Sequence, residues 1–368
     1  MSLLLETSSI SSIQLANRFI RSATWEGLAD DQGLVTPSLI NIMKKLARGG
    51  VGLIITSHAF IRYDGKAGPW QLGICGEEHS QGLKEMTEAV HKEGGKIVLQ
   101  LAHAGCKAAG ELTGMPLVGP SPINIKHLPY KELTIEDIKL LTVEFARAAA
   151  QAYEFGFDGI QLHAAHCYLF SQFLSPYYNQ RADEYGGNHR NRAKALLETL
   201  EAMRREVGTQ FPILAKINSD DTLHNGVRPT DMVATAKLLE DNGIDAIEIS
   251  GGCKDGRHLP ARKGRIDIPD KEVYYKEAAR LYKENINVPL ILVGGIRSYE
   301  TAESLIHEGF TDYVSMSRPF IREPKLVNRW KSGDRRPSAC LSDNLCYGPI
   351  RSGQGIQCVT KNYSKYTI

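Results

Sequence analysis

Residues 158–187 read DGIQLHAAHCYLFSQFLSPYYNQRADEYGG. Gly159 to Leu162 is a short alternating apolar run, and it reads as a buried strand. Helical periodicity flanks it on both sides, over 134–155 and 190–207. A strand held between two helices is the repeating unit of an α/β fold. Where the strand ends, His163, His166 and Tyr168 follow closely on the next loop. Two imidazoles and a phenol converging there suit a polar clamp and a proton donor for a small substrate.

Working outward, the same alternation recurs. Eight β-prone runs stand at 18–22, 52–57, 96–101, 159–163, 213–217, 246–250, 290–294 and 313–317. Helical stretches separate them, among them 229–242 and 298–308. Thr134 with Asp137 three residues on marks a helix start, and Gly156, Gly208, Gly243 and Gly309 mark helix ends. A β-α unit repeated eight times predicts an α/β fold of the (β/α)8 TIM barrel type. An open, doubly wound sheet is the runner-up, disfavoured by the count and by the lack of an early GxGxxG turn. Residues 1–332 are expected to form the barrel. The Pro- and Gly-rich 107–130 stretch is expected to be an excursion after strand three, and 333–368 a C-terminal extension packed on the barrel. The apolar start MSLLLETSSI has no basic region, so it reads as an entry strand or packing plug rather than a signal peptide.

Composition narrows the function. With 368 residues, 42% hydrophobic and 23% charged, the chain can bury a large core. A formal charge of +2 gives no argument for nucleic acid or an acidic membrane. No stretch approaches the roughly 20 apolar residues of a membrane helix. Cys75, Cys106, Cys167 and Cys253 are scattered, which predicts reduced thiols and a cytoplasmic location rather than a disulfide framework.

Barrel enzymes carry their chemistry at the C-terminal ends of the strands. Here those ends hold Ser22-Ala23-Thr24-Trp25, then Gln100 with His103 beyond it, then His163, His166 and Tyr168. Lys216 ends the fifth strand; Gly294-Gly295 and Ser317-Arg318 end the seventh and eighth. Glycine-freed N–H groups and a guanidinium suit a phosphate dianion. Each residue also has a plainer reading. Gln100 can satisfy backbone groups, His103 can be a core histidine, Lys216 can pair with Asp220 or Asp221, and the two glycines can make a tight turn. His163 and His166 lack a third ligand at metal spacing. Together, a phosphate clamp, an amide, a cation and a His/His/Tyr set are hard to explain as packing.

The pattern HxAHxYLxxQFLSPxxNxRxDxYGG in 163–187 resembles the signature stretch of the old yellow enzyme family, flavin-dependent ene-reductases. The resemblance runs from NRFIRSATWEG at Asn17 to VSMSRPFIREP ending at Pro324. It implies FMN across the barrel mouth, with NAD(P)H as electron donor. Gln100 would bond the flavin pyrimidine edge, Lys216 would lie beside N1, and Ala23 and Thr24 would touch the ring. Gly294, Gly295, Ser317 and Arg318 would hold the phosphate. His163 and His166 would bind the carbonyl of an activated alkene, and Tyr168 would protonate the neighbouring carbon. Three positions depart from the pattern. Trp25 stands for a Thr or Cys that tunes the flavin and would line the substrate pocket or turn away. Lys216 replaces the commoner Arg. Gly27 falls where many relatives have a substrate-side Tyr.

Cys340, Cys346 and Cys358 resemble the cluster cysteines of bacterial 2,4-dienoyl-CoA reductases, with Asp343 in the second cysteine's place. The resemblance leaves three readings: a labile or Asp-ligated Fe–S cluster, a Cys3Asp zinc site, or a relic loop with free thiols, which is favoured. The FAD/NAD domain of the full-length cluster enzymes is not expected here, so an electron relay would need a separate partner. The leading expectation is an FMN-dependent NAD(P)H oxidoreductase reducing activated alkenes, a homo-oligomer acting on a small molecule. The alternatives are a flavin-binding electron-transfer subunit, an oxidative dehydrogenase or demethylase on the same scaffold, and a flavin-free aldolase or lyase using Lys216.

Overall fold

The computed structural model describes residues 2–122, 130–253, 264–266 and 268–360. Eight strands close into one parallel barrel in chain order: Phe19–Arg21, Leu53–Phe60, Ile97–Ala102, Gly159–Ala164, Ile213–Asn218, Ala246–Ser250, Leu290–Val293 and Tyr313–Met316. The eighth pairs with the first through Val314 opposite Phe19 and Met316 opposite Arg21. This is the barrel the alternation predicts. Helices cover the strands outside, so the third to sixth strands are buried along their whole length. That is why they read as apolar runs rather than strict alternation.

The helices form where cap and stripe agree. In Pro37–Arg48 the Thr36 side chain accepts from the Leu39 N–H, and Leu39, Met43, Leu46 and Ala47 face inward. Ile135–Glu154 begins with the expected capping box between Thr134 and Asp137, a device worth about 0.5–2 kcal/mol. Helix Tyr299–His307 gives way to Gly309 at φ +73°.

The second strand runs past its expected end to Phe60. Between Ile55 and His58 its register shifts by one residue against the third strand, bringing His58 opposite Gln100. Such a bulge re-aims the side chains beyond it.

Hairpin Ser8–Ile10 with Ile13–Leu15 closes the barrel's N-terminal end. Its Ile10, Ile13 and Leu15 share an apolar cluster with Ile20, Leu53, Val98 and Leu214 of the barrel strands. The plug is therefore this hairpin; Leu3–Leu5 form only a single 3-10 turn, with Leu4 buried. The excursion contributes the short parallel strands Leu117–Gly119 and Tyr130–Glu132, while 123–129 lie outside the described residues. Part of the tail, 361–368, lies outside them too. The rest lies against the barrel: Ile356 N–H donates to Glu26 O at 2.7 Å, and Ile266 N–H to Leu341 O at 3.3 Å.

One expectation is overturned. Cys167 and Cys253 are not separate reduced thiols but a disulfide, their Cα atoms 5.6 Å apart. They lie 86 residues apart in sequence, on the loops after the fourth and sixth strands. Sheet order, with only the fifth strand between them, brings those loops together, so spacing along the chain holds no trace of the pair. Cys75 and Cys106 form no disulfide. Among the described residues no helix is long and apolar enough to cross a membrane.

Candidate active site

Register sets the polar side chains of neighbouring strands at matching heights. His58 lies opposite Gln100, Gln100 opposite Gln161, His163 opposite Lys216 and Lys216 opposite Glu248. Above them opens a cavity of about 640 Å3, within the usual range for small-molecule sites. Every residue expected to bind cofactor or substrate lines it: Ala23, Thr24 and Trp25; Gln100 and Lys216; His163, His166 and Tyr168; Gly294, Gly295, Ser317 and Arg318.

One wall is a cradle. A side chain on Gly294 would strike Tyr275 Cδ2 at 2.8 Å, and one on Gly295 would run into the Tyr274 ring; their φ angles are +134° and +80°. Only glycine permits this backbone beside those rings. Arg318 is held from two directions, by Tyr274 Oη at 2.8 Å and Asn344 Oδ1 at 2.8 Å. Ser317 Oγ and Thr24 Oγ1 are 2.7 Å apart. Two glycines, two hydroxyls and a braced guanidinium fit the phosphate of FMN.

The floor is a buried polar chain. Lys216 Nζ donates to Ser22 Oγ at 2.8 Å and lies 3.2 Å from Glu248 Oε1. Its partner is thus Glu248, not Asp220 or Asp221. Nothing in AIEIS marks that glutamate as barrel-facing, and sequence reasoning missed it. Gln100 Nε2 donates to Gln161 Oε1 at 2.7 Å. An amide and an ammonium lining one cavity match the pyrimidine edge of a flavin in donor and acceptor character.

The opposite wall holds the acid-base groups. The His163 and Tyr168 rings stand 4.5 Å apart, and Tyr168 Oη is 3.2 Å from His58 Nε2. Sequence reasoning missed His58 because only the bulge turns it inward. Burial holds its pKa down at about 4, and burial with the nearby His166 holds His163 well below the usual range. Both rings are therefore neutral at pH 7. The Ala165 N–H donates to His163 Nδ1 at 3.3 Å, so His163 carries its proton on Nε2. His166 shares a hydrogen bond with Ser250 Oγ through Nε2 at 2.7 Å, and its backbone N–H donates to Asn218 Oδ1 at 3.0 Å. Burial raises the Tyr168 pKa well above that of a free phenol, so its proton stays in place. His103 takes the plainer reading, buried with Nε2 3.2 Å from Asp64 Oδ1.

Trp25 lines the cavity rather than turning away from it, and its buried Nε1 has no hydrogen-bond partner among the described residues. Gly27 has φ +59°, and a side chain there would collide with Ile350 of the tail, so no tyrosine fits. Among the described residues, no three of the candidate ligands Cys340, Asp343, Cys346 and Cys358 hold ligand atoms within 4.8 Å of one another. Among the described residues the group of three whose ligand atoms lie within 4.8 Å is Cys167, Asp221 and Cys253. Cys346 is buried in an apolar cluster with Ile350 and Ile356, and burial pushes its thiol up to about 11. Cys358 is drawn instead to Arg322 Nη1, at 3.5 Å.

Residues 4–336 match the NADH:flavin oxidoreductase / NADH oxidase family. The chain is 34% identical over 345 residues to an NADH oxidase of Thermoanaerobacter brockii, covering 92% of this chain and 52% of that protein. It therefore spans about half the length of that relative. Against an NADPH dehydrogenase of Clostridium acetobutylicum the identity is 33%, over 88% of this chain and 92% of the other. Among solved structures, an old yellow enzyme homologue from Zymomonas mobilis superposes with a TM-score of 0.80 at 25% identity, over 99% of both chains. The closed barrel, the cradle and the match over nine-tenths of the sequence agree: the chain belongs to the NADH:flavin oxidoreductase / NADH oxidase family, that of the old yellow enzymes, and its cofactor is FMN.

Proposed function

We propose that this oxidoreductase uses NAD(P)H to reduce alkenes activated by a carbonyl group. One observation carries the reading: Tyr168, with His58 3.2 Å from its hydroxyl and the tilted His163 ring centred 4.5 Å from its own, lies across the cavity from the phosphate cradle. FMN, when bound, would supply the hydride chemistry that links NAD(P)H to the alkene. The cradle of Gly294, Gly295, Ser317 and Arg318 anchors the cofactor's phosphate, while Gln100 and Lys216 hold its polar ring edge. His163 offers Nε2–H to the substrate carbonyl oxygen, where negative charge gathers as the β carbon is reduced. His166, braced by Ser250 and Asn218, completes that side of the pocket. Tyr168 holds a proton at Oη and delivers it to the α carbon, while neutral His58 accepts a hydrogen bond from that hydroxyl. Trp25 shapes the substrate side by bulk.

The test separates the two half-reactions of a Tyr168→Phe variant. Bleaching of bound flavin by NAD(P)H should keep its rate. Reoxidation by a cyclic enone should slow by about 100- to 10,000-fold, the span of a lost general acid. Reoxidation by a quinone, which needs no proton on carbon, should be unaffected. Wild-type enone turnover in the variant would overturn the role given to Tyr168.

A further inference from the structure

Glu248 plays no part in the chemistry above, yet it is a fully buried carboxylate beneath the cofactor cavity. Four donors from four other barrel positions converge on it. Ser22 Oγ at 2.7 Å, Ser315 Oγ at 3.0 Å and Lys216 Nζ at 3.2 Å reach Oε1; Gln161 Nε2 reaches Oε2 at 3.0 Å. Such a group is costly to bury unless fully paired, and apolar side chains would fill the same space more cheaply. Its surroundings point to two services.

The first concerns direction. A glutamine amide is nearly symmetric in shape, and only its neighbours decide which end is the donor. A carboxylate paired with an ammonium only accepts, so Gln161 turns its NH2 to Glu248. Its Oε1 then faces Gln100 and takes the 2.7 Å bond from Gln100 Nε2. The polarity of Gln100, which lines the cavity, is thus dictated two residues away. The second concerns charge. Lys216 reaches the cavity already paired, so it presents less positive potential there than a lone ammonium would.

We propose that Glu248 is a positioning residue for the flavin, orienting the Gln100 amide through Gln161 and offsetting the charge of Lys216. The inference rests on FMN lying with its polar ring edge over Gln100 and Lys216.

Midpoint potentials and FMN dissociation constants of purified holoproteins test both services. Glu248→Gln removes the counter-charge at constant shape. It should favour reduced over oxidised flavin by about tenfold, an upward shift of about 30 mV for a two-electron couple. Gln161→Leu cuts the relay and spares the ion pair, so it should weaken FMN binding and leave the potential in place. Should Glu248→Gln fail to fold, the Glu248→Gln/Lys216→Met double variant is compared with Lys216→Met, and the same upward shift is expected between them. A potential unmoved or lowered on losing the carboxylate overturns the charge role. Unchanged FMN affinity in Gln161→Leu overturns the orienting role. If Lys216→Met alone moves neither quantity, the placement of the flavin itself is wrong.

Discussion

Replacing Gly295 by alanine should cost the protein its cofactor long before it costs the fold. The new Cβ would lie 2.7 Å from Tyr274 Cζ and 2.8 Å from Ile266 Cδ1, with Cε1 nearer still. Carbon atoms settle at about 3.5 Å or more, so the ring must retreat by roughly 0.8 Å or further. That ring carries the hydroxyl bonded to Arg318 Nη2 at 2.8 Å. A hydrogen bond to a charged group is worth about 1.5–3 kcal/mol, and Arg318 loses its brace toward the cradle. FMN affinity should therefore fall by about ten- to a hundredfold. The backbone contributes separately, because φ is +80° and an L-residue there costs about 1–2 kcal/mol. Gly309→Ala isolates that second cost: its φ is +73° and nothing lies within 4 Å of the new atom. Flavin fluorescence recovered on dissociation gives the affinities, and thermal unfolding of the apoproteins gives the backbone cost. Gly295→Ala should lose at least as much stability as Gly309→Ala, and only Gly295→Ala should release FMN. Riboflavin, which lacks the phosphate, should bind wild type and Gly295→Ala alike. Equal losses for riboflavin and FMN would refute the assignment of this wall to the phosphate.

Other outcomes follow from the same geometry. His58 has a folded pKa of about 4 against the ordinary 6.5, so between those values only the unfolded chain takes up the proton. Stability should fall as pH drops from 6.5 to 4 and level off below; 2.5 units correspond to at most about 3 kcal/mol for this partly exposed ring. Denaturant unfolding across that range should show a shallower slope in His58→Gln, and an identical slope would remove His58 from the account. Alkylation of air-purified protein in denaturant without reductant should label five of the seven cysteines, sparing Cys167 and Cys253. Cys253→Ser should then unfold more easily, by up to about 4–5 kcal/mol for a loop of 86 residues, and seven labelled cysteines in the wild type would refute the bond.

Much of the site was legible because barrels place chemistry by a local rule. A polar residue at the C-terminal end of an apolar run, such as Lys216 or Tyr168, announces itself in one strand and the loop after it. Glu248 gives no such signal: it lies inside a strand, and only closure brings Ser22, Gln161, Lys216 and Ser315 around it. His58 escaped for a different reason, since one inserted residue between Ile55 and His58 reverses which side chains face inward. The disulfide and the contact of Gly27 with Ile350 are likewise products of distant segments meeting. In the tail the favoured reading of the cysteine spacing is a relic loop, and Ile350 and Ile356 draw Cys346 into an apolar cluster.

The seam between the eighth strand and the first has a consequence for how the protein is made. Val314 must find Phe19, and Arg318 is steadied by Ser342 and Asn344, which emerge later still. At about 5–20 residues per second, a ribosome needs roughly 15–60 s to reach the eighth strand. Until then the first strand has an unsealed edge, and the phosphate cradle lacks its guanidinium. Cofactor loading therefore waits until the eighth strand and the Ser342 and Asn344 contacts beyond it have been made.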